Sequence, residues 1–262
     1  MTIKIFQIDA FTKELFGGNP AAVCPLDEWL PNETMLKIAK ENNLAETAFF
    51  IHDRDNIFQL KWFTPEVEID LCGHATLASA FVILHCLNNH FDTVYFDTMS
   101  GRLVVKKHNG KLQMDLPSRP PQLSELPKII SDSLSLQPEK VLKSRDYLLV
   151  YKNEKEVSSL KVNANKLAEI NLDPGGIIVT GKGDQIDFVS RFFTPGASVF
   201  EDPVTGSAHC TLTPYWAKVL NKTKMKAFQI SERRGELDCE LVGDRVIIYG
   251  SAVKYLEGTI TI

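Results

Sequence analysis

The tetrapeptide Trp62-Phe63-Thr64-Pro65 decides the fold, because it returns later in the chain as Phe192-Phe193-Thr194-Pro195. The offset between the two copies is 130 residues, and half of the 262-residue chain is 131. A repeat near half the chain length is the pattern that a duplicated structural unit leaves in a sequence. We therefore predict two halves of similar structure.

Each copy leads into the same succession of residue types, which is acidic residues, a turn of small residues and then an uncharged helix. The first copy continues through residues 66–75 (Glu-Val-Glu-Ile-Asp-Leu-Cys-Gly-His-Ala) and the second through residues 201–208 (Glu-Asp-Pro-Val-Thr-Gly-Ser-Ala). A helix that is apolar on all sides is predicted to be buried. We expect the first helix at 75–87, and we expect Pro214 to interrupt the second.

The two small-residue turns place the start of each helix at the mouth of a potential cleft. The first N–H groups of a helix have no partner within it, and the helix dipole adds positive charge there. Two such helix starts can bind a carboxylate or an enolate oxygen. The alternative is that Gly73 and Gly206 only permit tight packing of helix against strand.

Short strand-like runs dominate the chain, and turn residues separate them. Asn109-Gly110 lies between two alternating runs and is the preferred pair for a type I′ hairpin turn. The Pro-rich stretch 117–121 lies near the midpoint and can continue neither a strand nor a helix. We therefore predict a half-domain at 1–116, a linker at 117–121 and a half-domain at 122–262, whose last strand is able to pack with the first half-domain.

Composition and motifs exclude several classes of function. The net charge is −4 and the pI about 5.9, without a basic stripe, so nucleic acid is not an expected partner. Five scattered cysteines without a CxxC pair predict a reducing compartment and no metal site. Neither dinucleotide-binding nor phosphate-loop glycine motifs occur, so no cofactor is expected. Because the N-terminus does not resemble a signal peptide and no apolar run suffices to span a bilayer, we expect a cytoplasmic protein without membrane contact.

Four side chains are candidates for a site when only the residues are considered. Glu46 precedes apolar and aromatic residues that should partly bury it, and such a carboxyl can carry a proton between carbons. It could equally be a helix-end carboxylate or a salt-bridge partner. His74 could orient a substrate or share a proton, or it could be a capping or core histidine. Asp202 and Ser207 occupy the second turn, where they could serve only as a turn initiator and a helix cap.

Four motifs in this order resemble the phenazine-biosynthesis-like (PhzF-like) family. They are residues 16–21 (Phe-Gly-Gly-Asn-Pro-Ala), 44–47 (Leu-Ala-Glu-Thr), 70–75 (Asp-Leu-Cys-Gly-His-Ala) and 201–207 (Glu-Asp-Pro-Val-Thr-Gly-Ser). The resemblance covers essentially the whole chain. It implies a diaminopimelate-epimerase-like α+β fold, in which each half-domain wraps a curved, largely antiparallel sheet around a central helix. It also implies an active site in the cleft and a homodimer.

The resemblance implies a role for each residue of the site. Glu46 would be the general acid/base, while His74, Asp202 and Ser207 would contact a small carboxylate substrate. The amides around Gly73 and Gly206 would hold its carboxylate, and Asn19 belongs to a further family motif. The implied activity is that of an isomerase that moves a proton without a cofactor or a metal.

Two other hypotheses stay open. Related epimerases use one cysteine thiol from each half, and the comparable positions here are Cys72 and Thr205. A threonine hydroxyl is too weak an acid and base to replace a thiol, which disfavours a two-thiol racemase without excluding a cysteine-dependent one. The second alternative is a metabolite-binding module without activity, because a fold does not guarantee a reaction.

Overall fold

The structure is a computed structural model that describes residues 1–87, 90–172, 175–197 and 199–262. It divides into two compact units. Unit 1 comprises Met1–Asp115 together with Tyr249–Ile262, and unit 2 comprises Leu116–Ile248. No helix in the described ranges has both the length and the apolarity needed to span a membrane.

Eighteen strands and six α-helices make up the described part of the chain. The strands are β1 (Thr2–Ala10), β2 (Asn19–Leu26), β3 (Glu46–Arg54), β4 (Ile57–Phe63), β5 (Glu68–Ile69), β6 (Thr93–Thr98), β7 (Gly101–His108), β8 (Lys111–Pro117), β9 (Gln122–Leu123), β10 (Lys140–Lys143), β11 (Tyr147–Val150), β12 (Ile177–Lys182), β13 (Phe188–Phe193), β14 (Glu201–Asp202), β15 (Lys224–Gln229), β16 (Gly235–Val242), β17 (Arg245–Gly250) and β18 (Ala252–Thr261). The helices are α1 (Asn32–Asn42), α2 (Gly73–Phe81), α3 (Lys128–Ser133), α4 (Glu154–Ser159), α5 (Ala164–Leu167) and α6 (His209–Leu220). A π-helical turn, Val82–Cys86, extends α2, and a 3₁₀ turn, Gly206–Ala208, precedes α6.

The two units repeat the same strand connections. In unit 1, β2 and β3 are parallel, β3 and β4 antiparallel, β4 and β5 antiparallel, β4 and β6 parallel, and β6 and β7 antiparallel. Strands β11 to β16 of unit 2 pair in the same order and with the same directions. The sequence repeat is therefore a repeat of topology, and the α+β class with largely antiparallel strands is confirmed.

The loop that follows the repeated tetrapeptide differs in length between the units. Phe63 pairs with Glu68 in unit 1, and Phe193 pairs with Glu201 in unit 2. The offset is 130 residues at the two phenylalanines (193 − 63) and 133 at the two glutamates (201 − 68). Unit 2 thus has three more residues in this loop, and the pairing resumes beyond it in both units.

Helix α2 is buried along almost its whole length. Every residue from His74 to Ala80 is buried, and the helix packs against β1, β2, β3, β7 and β18. Helix α1 contributes Met35, Ile38 and Ala39 to a second core with residues of β1 to β4. Because packing fixes α2 in the unit, the side chains at its start have defined positions.

Helix α6 continues through Pro214, so the predicted interruption is wrong. A proline inside a helix removes one N–H group, which here would donate to the carbonyl of Cys210 four residues earlier. The backbone N–H of Arg119 donates to that carbonyl instead, at 2.8 Å. The helix tolerates the proline because a residue distant in sequence replaces the missing hydrogen bond.

The last strand belongs to unit 1; the prediction placed it in the half-domain 122–262 and allowed it to pack with the first half-domain. Strand β18 pairs antiparallel with β1 from Thr2↔Thr261 to Ala10↔Ala252, with one irregularity between Gln7 and Ile8. The residues of a strand do not indicate which half of the chain supplies its partner strand. For this reason the boundary at the end of unit 2 could not be set from the sequence.

Gly18 supports the loop between β1 and β2, and we expect its replacement by alanine to lower the free energy of unfolding by about 2 kcal/mol. Its φ is +62°, and a Cβ there would collide with the carbonyl oxygen of Ala10 and approach the methyl of Thr12 to 2.8 Å. Urea unfolding would measure the loss. Gly243→Ala is the matched control, because Gly243 has φ +59° and no atom within 4 Å of an added Cβ. Gly243→Ala should lower the free energy of unfolding by the backbone strain alone, about 1 kcal/mol. An equal loss in both variants would contradict a destabilising collision at Gly18.

Candidate active site

Three elements of unit 1 bring together the candidate residues of that half. Asn19 is the first residue of β2, and Glu46 is the first residue of β3, which runs parallel to β2 with Ala21 opposite Glu46. Helix α1 ends at Asn42, and Asn43 follows it with φ +49°, which turns the chain towards β3. His74 is the second residue of α2. Glu46 therefore begins a strand and is not a helix-end carboxylate.

His74 lies between three polar side chains. Its Nε2 is 2.9 Å from Oε2 of Glu46, and its Nδ1 is 3.1 Å from Nδ2 of Asn19 and 3.5 Å from Sγ of Cys72. Nε2 and Oε2 are both buried, and neither makes an aligned hydrogen bond among the described residues, so their contact is an ion pair. The histidine and the glutamate thus depend on each other for their polar contact.

Burial and the neighbouring residues shift the pKa of His74 in opposite directions. Burial alone would lower the pKa of His74, but its electrostatic interactions with Cys72 and Glu46 outweigh burial and raise the pKa well above its ordinary value. Burial raises the pKa of Cys72, and the Glu46 charge raises it further, against the opposing effect of His74. We infer that the thiol keeps its proton at neutral pH, so Glu46 is the anion that His74 pairs with.

Glu46, Cys72 and His74 also have ligand atoms that lie within 4.8 Å of one another, a spacing compatible with a metal ion. The sequence had predicted no metal site. However, the sulfur approaches Nδ1 of the imidazole and the carboxylate approaches Nε2. The lone pairs of these two nitrogens point away from each other, so one ion cannot bind all three groups unless the ring turns. With the ring in its present orientation, Cys72, His74 and Glu46 instead form a row of groups that can hold protons.

In unit 2, a buried glutamine holds the turn that carries Asp202. Thr205 Oγ1 donates to Asp202 Oδ2 at 2.5 Å. Gln229 accepts from the backbone N–H of Thr205 at 2.8 Å, and its Nε2 donates to the carbonyl of Asp202 at 2.7 Å and to Thr205 Oγ1 at 3.2 Å. No motif predicted Gln229, because it lies at the end of β15 and reaches this turn only in the folded unit.

Both units present open amides where the small-residue turn meets the helix. No hydrogen-bond acceptor is found among the described residues for the backbone N–H groups of Gly73 and His74 in unit 1. The same holds for Gly206 and Ser207 in unit 2. Unpaired amides at a helix start attract an oxygen anion, so anion binding at both turns stays a prediction.

Comparison with known proteins identifies the family. The sequence model described as phenazine biosynthesis-like protein (PhzC-PhzF) matches residues 8–258. The chain belongs to the PhzF family. An uncharacterised isomerase of Pseudomonas aeruginosa is 46% identical over 260 residues, which cover 99% of each chain.

Solved structures agree with this assignment. A PhzF family protein of Enterococcus faecalis has a TM-score of 0.94 and 42% identity over the full length of both chains. A probable proline racemase of Agrobacterium radiobacter has a TM-score of 0.63 at 9% identity, over 99% of this chain and 92% of that chain. The second likeness shows the epimerase-like fold alone. With relatives named as isomerases, the chain is an isomerase of the PhzF family.

The four PhzF-like motifs have distinct places in the units. Residues 16–21 supply Gly18 and Asn19 and form the start of β2, and residues 44–47 lead into Glu46. Residues 70–75 form the start of α2, and residues 201–207 form β14 and the turn before α6. The structure thus brings Asn19, Glu46 and His74 into contact, while Asp202, Gly206 and Ser207 follow one another in unit 2. Their roles in the reaction stay predictions.

Asn19 is expected to control the protonation of His74 in this PhzF family member. Asn19→Asp would place a negative charge beside Nδ1 and raise the pKa of His74 further. An NMR titration of the His74 ring in labelled protein would measure the shift. Asn42→Asp is the control, because Asn42 contacts Thr47 and not the imidazole. A titration midpoint that is the same in Asn19→Asp and wild type would contradict this role.

Proposed function

We propose that this protein moves a proton within a small carboxylated metabolite, using Glu46 as a single general acid/base. The observation that carries the proposal is the environment of the Glu46 carboxyl. Oε2 is buried and lies 2.9 Å from His74 Nε2, an ion-pair contact without the alignment of a hydrogen bond. The side chain is 16% exposed, so the carboxyl is paired with a buried imidazole and can still be reached from solution. This is the geometry that a positioned general base requires.

The proposed reaction balances without a cofactor. Glu46 Oε1 takes a proton from one carbon of the substrate, and the electron pair of that C–H bond shifts into an adjacent unsaturated system. The carboxylic acid then returns the proton to another carbon, so that one C–H bond breaks, one forms and a double bond changes position. No electron leaves the substrate, which is why we propose cofactor independence.

His74 supports this cycle from the other oxygen of Glu46. The ion-pair contact of Nε2 with Oε2, at 2.9 Å, holds the carboxyl in one orientation through both proton transfers. The open amides of Gly73 and His74, in the same unit as Glu46, supply donors for the substrate carboxylate or for an enolate oxygen. Donors of this kind stabilise the charge that develops when a carbon loses its proton.

A cysteine-dependent racemase is the second candidate, and the contact between Cys72 Sγ and His74 Nδ1 at 3.5 Å favours it. Such an enzyme would require Cys72 to lose its proton, and burial raises the pKa of that thiol. The comparable residue of unit 2 is Thr205, whose hydroxyl already donates to Asp202. These features support the carboxyl mechanism over the thiol mechanism.

The test is solvent-deuterium incorporation, detected by NMR, into a panel of cyclic, unsaturated and amino-acid carboxylates. Wild type, Glu46→Gln and Cys72→Ala are compared on the same panel. Exchange that is lost with Glu46→Gln and kept with Cys72→Ala supports the proposal. Exchange at Cα that is lost only with Cys72→Ala would replace it with the racemase, and a panel without exchange would favour a binding module.

Two further properties that the family resemblance implies are part of the proposal. We propose a homodimer, which the molar mass from light scattering would test. We also propose a cytoplasmic location with no nucleic-acid or membrane partner, which cell fractionation would test. Neither property is needed for the chemistry of Glu46.

A further inference from the structure

Unit 1 exposes a group of apolar side chains where the loop between β1 and β2 meets strand β18. Phe16 and Tyr255 are 67% and 48% exposed, and their rings contact each other edge to face with the centroids 5.7 Å apart. Their neighbours in the chain, Leu15 and Leu256, are exposed as well. Exposed apolar residues that occur singly are ordinary, whereas a contiguous group marks an interaction site. We call these four side chains the aromatic patch.

The backbone of the loop holds Phe16 in this exposed position in spite of strain. Its φ is +70°, a left-handed value that bulky residues rarely adopt. The backbone N–H of Phe16 donates to Oδ2 of Asp9 at 2.9 Å, and Asp9 itself is buried in β1. Strained residues of this kind are concentrated at functional sites, where the surrounding contacts maintain them. The buried carboxylate therefore helps to keep an apolar ring in contact with solvent.

A β-bulge places Tyr255 beside this ring. Gln7 of β1 pairs with Leu256 and Ile8 pairs with Lys254, so Tyr255 is an extra residue of β18 with no residue opposite it in β1. A bulge changes the direction of a side chain and increases the local twist of the strand. Such a twist also hinders open-ended pairing of strand edges, so the patch is suited to side-chain contacts.

The charges beside the patch are balanced. In the segment 254–257 (Lys-Tyr-Leu-Glu), two residues of opposite charge flank two apolar ones, and all four residues are exposed. Nζ of Lys254 lies 2.5 Å from Oε2 of Glu257. In the loop, Lys13 and Glu14 add a second exposed pair of opposite charge. These four residues have no net charge together, so they do not favour a strongly acidic or strongly basic partner.

The order of the residues in this segment fits a second copy of the same chain. A two-fold symmetric interface uses the same surface of both subunits, so residue i contacts residue j and residue j contacts residue i. An axis through the middle of 254–257 would place Lys254 opposite Glu257 of the partner subunit, and would do so twice. The same axis would place Tyr255 opposite Leu256 of the partner subunit. Both charge contacts are then attractive and both apolar contacts exclude water, so the segment is complementary to itself.

We propose that the aromatic patch and the segment 254–257 form the centre of an interface between two copies of this protein. Phe16 and Tyr255 become buried there, and aromatic side chains are enriched at the centres of interfaces, where they contribute much of the binding energy. This location rests on the proposed homodimer and adds the surface through which the subunits meet. It is independent of the chemistry of Glu46.

The experiment measures the dissociation constant of the dimer by sedimentation equilibrium for two charge-reversal variants, alone and mixed. Lys254→Glu places glutamate opposite glutamate in both symmetric contacts, and Glu257→Lys places lysine opposite lysine. We expect each variant alone to dimerise at least about tenfold more weakly than wild type, because like charges repel. In an equimolar mixture every such contact joins a glutamate to a lysine. The two variants should therefore form a heterodimer at least as tight as the wild-type dimer.

Tyr255→Ala tests the apolar centre of the interface. It should raise the dissociation constant by about thirtyfold or more, the effect of removing an aromatic residue at the centre of an interface. The matched control is Lys37→Glu, because Lys37 forms an exposed ion pair with Glu33 in α1, outside the patch, and its dissociation constant should equal that of wild type. Exposed ion pairs contribute little to stability, so the charge-reversal variants should fold, and circular dichroism would check this.

Three results would overturn this location of the interface. They are an unchanged dissociation constant in the patch variants, an equal weakening in Lys37→Glu, and charge-reversal variants that fail to associate when mixed. If Tyr255→Ala does not fold, the charge-reversal variants decide alone. A wild type that stays monomeric at every concentration would contradict the homodimer together with its interface. A wild-type dimer that the patch variants leave intact would contradict the location only, so the two failures are distinguishable.

Discussion

Glu46→Gln is expected to slow deuterium incorporation by about 10²–10⁴-fold, the range that removal of a general acid/base produces. Glutamine has the same shape and can still accept a hydrogen bond from His74 Nε2 through its amide oxygen. It cannot take a proton from carbon at neutral pH. The loss should therefore appear in kcat, with little change in KM, because the substrate contacts remain.

The control for this variant is Glu68→Gln. Glu68 is a carboxylate of the same unit with a similar exposure, 19% against 16% for Glu46, and it contacts Asn32 and Lys61 outside the site. We expect its exchange rate to match the wild type. Circular dichroism and urea unfolding of both variants would separate a chemical effect from a loss of fold. A Glu46→Gln rate within a factor of a few of wild type would rule out the single-carboxyl mechanism.

The second large effect is a loss of stability in acid that His209 causes. His209 is fully buried, its Nδ1 lies 2.9 Å from the carbonyl oxygen of Thr205, and its Nε2 has no partner among the described residues. Burial lowers its pKa from 6.5 to about 4, although the hydrogen bond to Thr205 acts in the opposite direction. The residue is therefore a neutral core histidine near neutrality.

The sign of the effect follows from which state binds the proton more tightly. Between pH 6.5 and 4 the unfolded chain protonates this histidine and the folded chain does not, so the folded state loses stability as the pH falls. A difference of about 2.5 pKa units corresponds to about 3 kcal/mol. The contribution is fully present above pH 6.5. Urea unfolding at pH 7 and at pH 4.5 would measure most of it.

The repeat suggests a variant that removes the titration. Thr76 occupies the equivalent position in α2, and its hydroxyl donates to the carbonyl of Cys72 at 2.5 Å. His209→Thr places the same hydroxyl side chain at this position of α6. His209→Gln is a second variant without the imidazole and has a larger side chain. In both variants the free energy of unfolding should fall less between pH 7 and pH 4.5 than in wild type, whatever its value at pH 7. The control is His52→Gln, which replaces an exposed histidine and should lose as much stability in acid as wild type does. If both His209 variants also lose as much stability in acid as wild type, other groups cause the acid sensitivity.

The sequence predicted the parts of the fold that repeat or that have local signals. The tetrapeptide at 62–65 and 192–195 identified the two units, and the Asn109-Gly110 turn has the two positive φ values that a type I′ turn requires. Glu46 and His74 were found from their motifs, and their contact is local to one unit. These features depend on residues that are close in sequence or that occur twice.

The remaining features depend on partners that are distant in sequence. The carbonyl of Cys210 accepts from Arg119, so no local pattern around Pro214 could show that the helix continues. Arg145 and Gln229 lie 62 and 22 residues from Ser207 and reach the same turn region only after folding. Periodicity reports burial and local geometry, and it carries no information about which distant group supplies a hydrogen bond.

The pairing of β1 with β18 also sets an order for biosynthesis. Unit 1 needs residues 249–262, and a ribosome makes them only after the whole of unit 2. Until then β1 can pair with β2 on one edge but lacks β18 on the other, whereas unit 2 is continuous in the chain and can fold as soon as it emerges. We expect the later unit to mature first, in reverse of the usual sequence, and the open edge of β1 to be where the nascent chain needs chaperone protection.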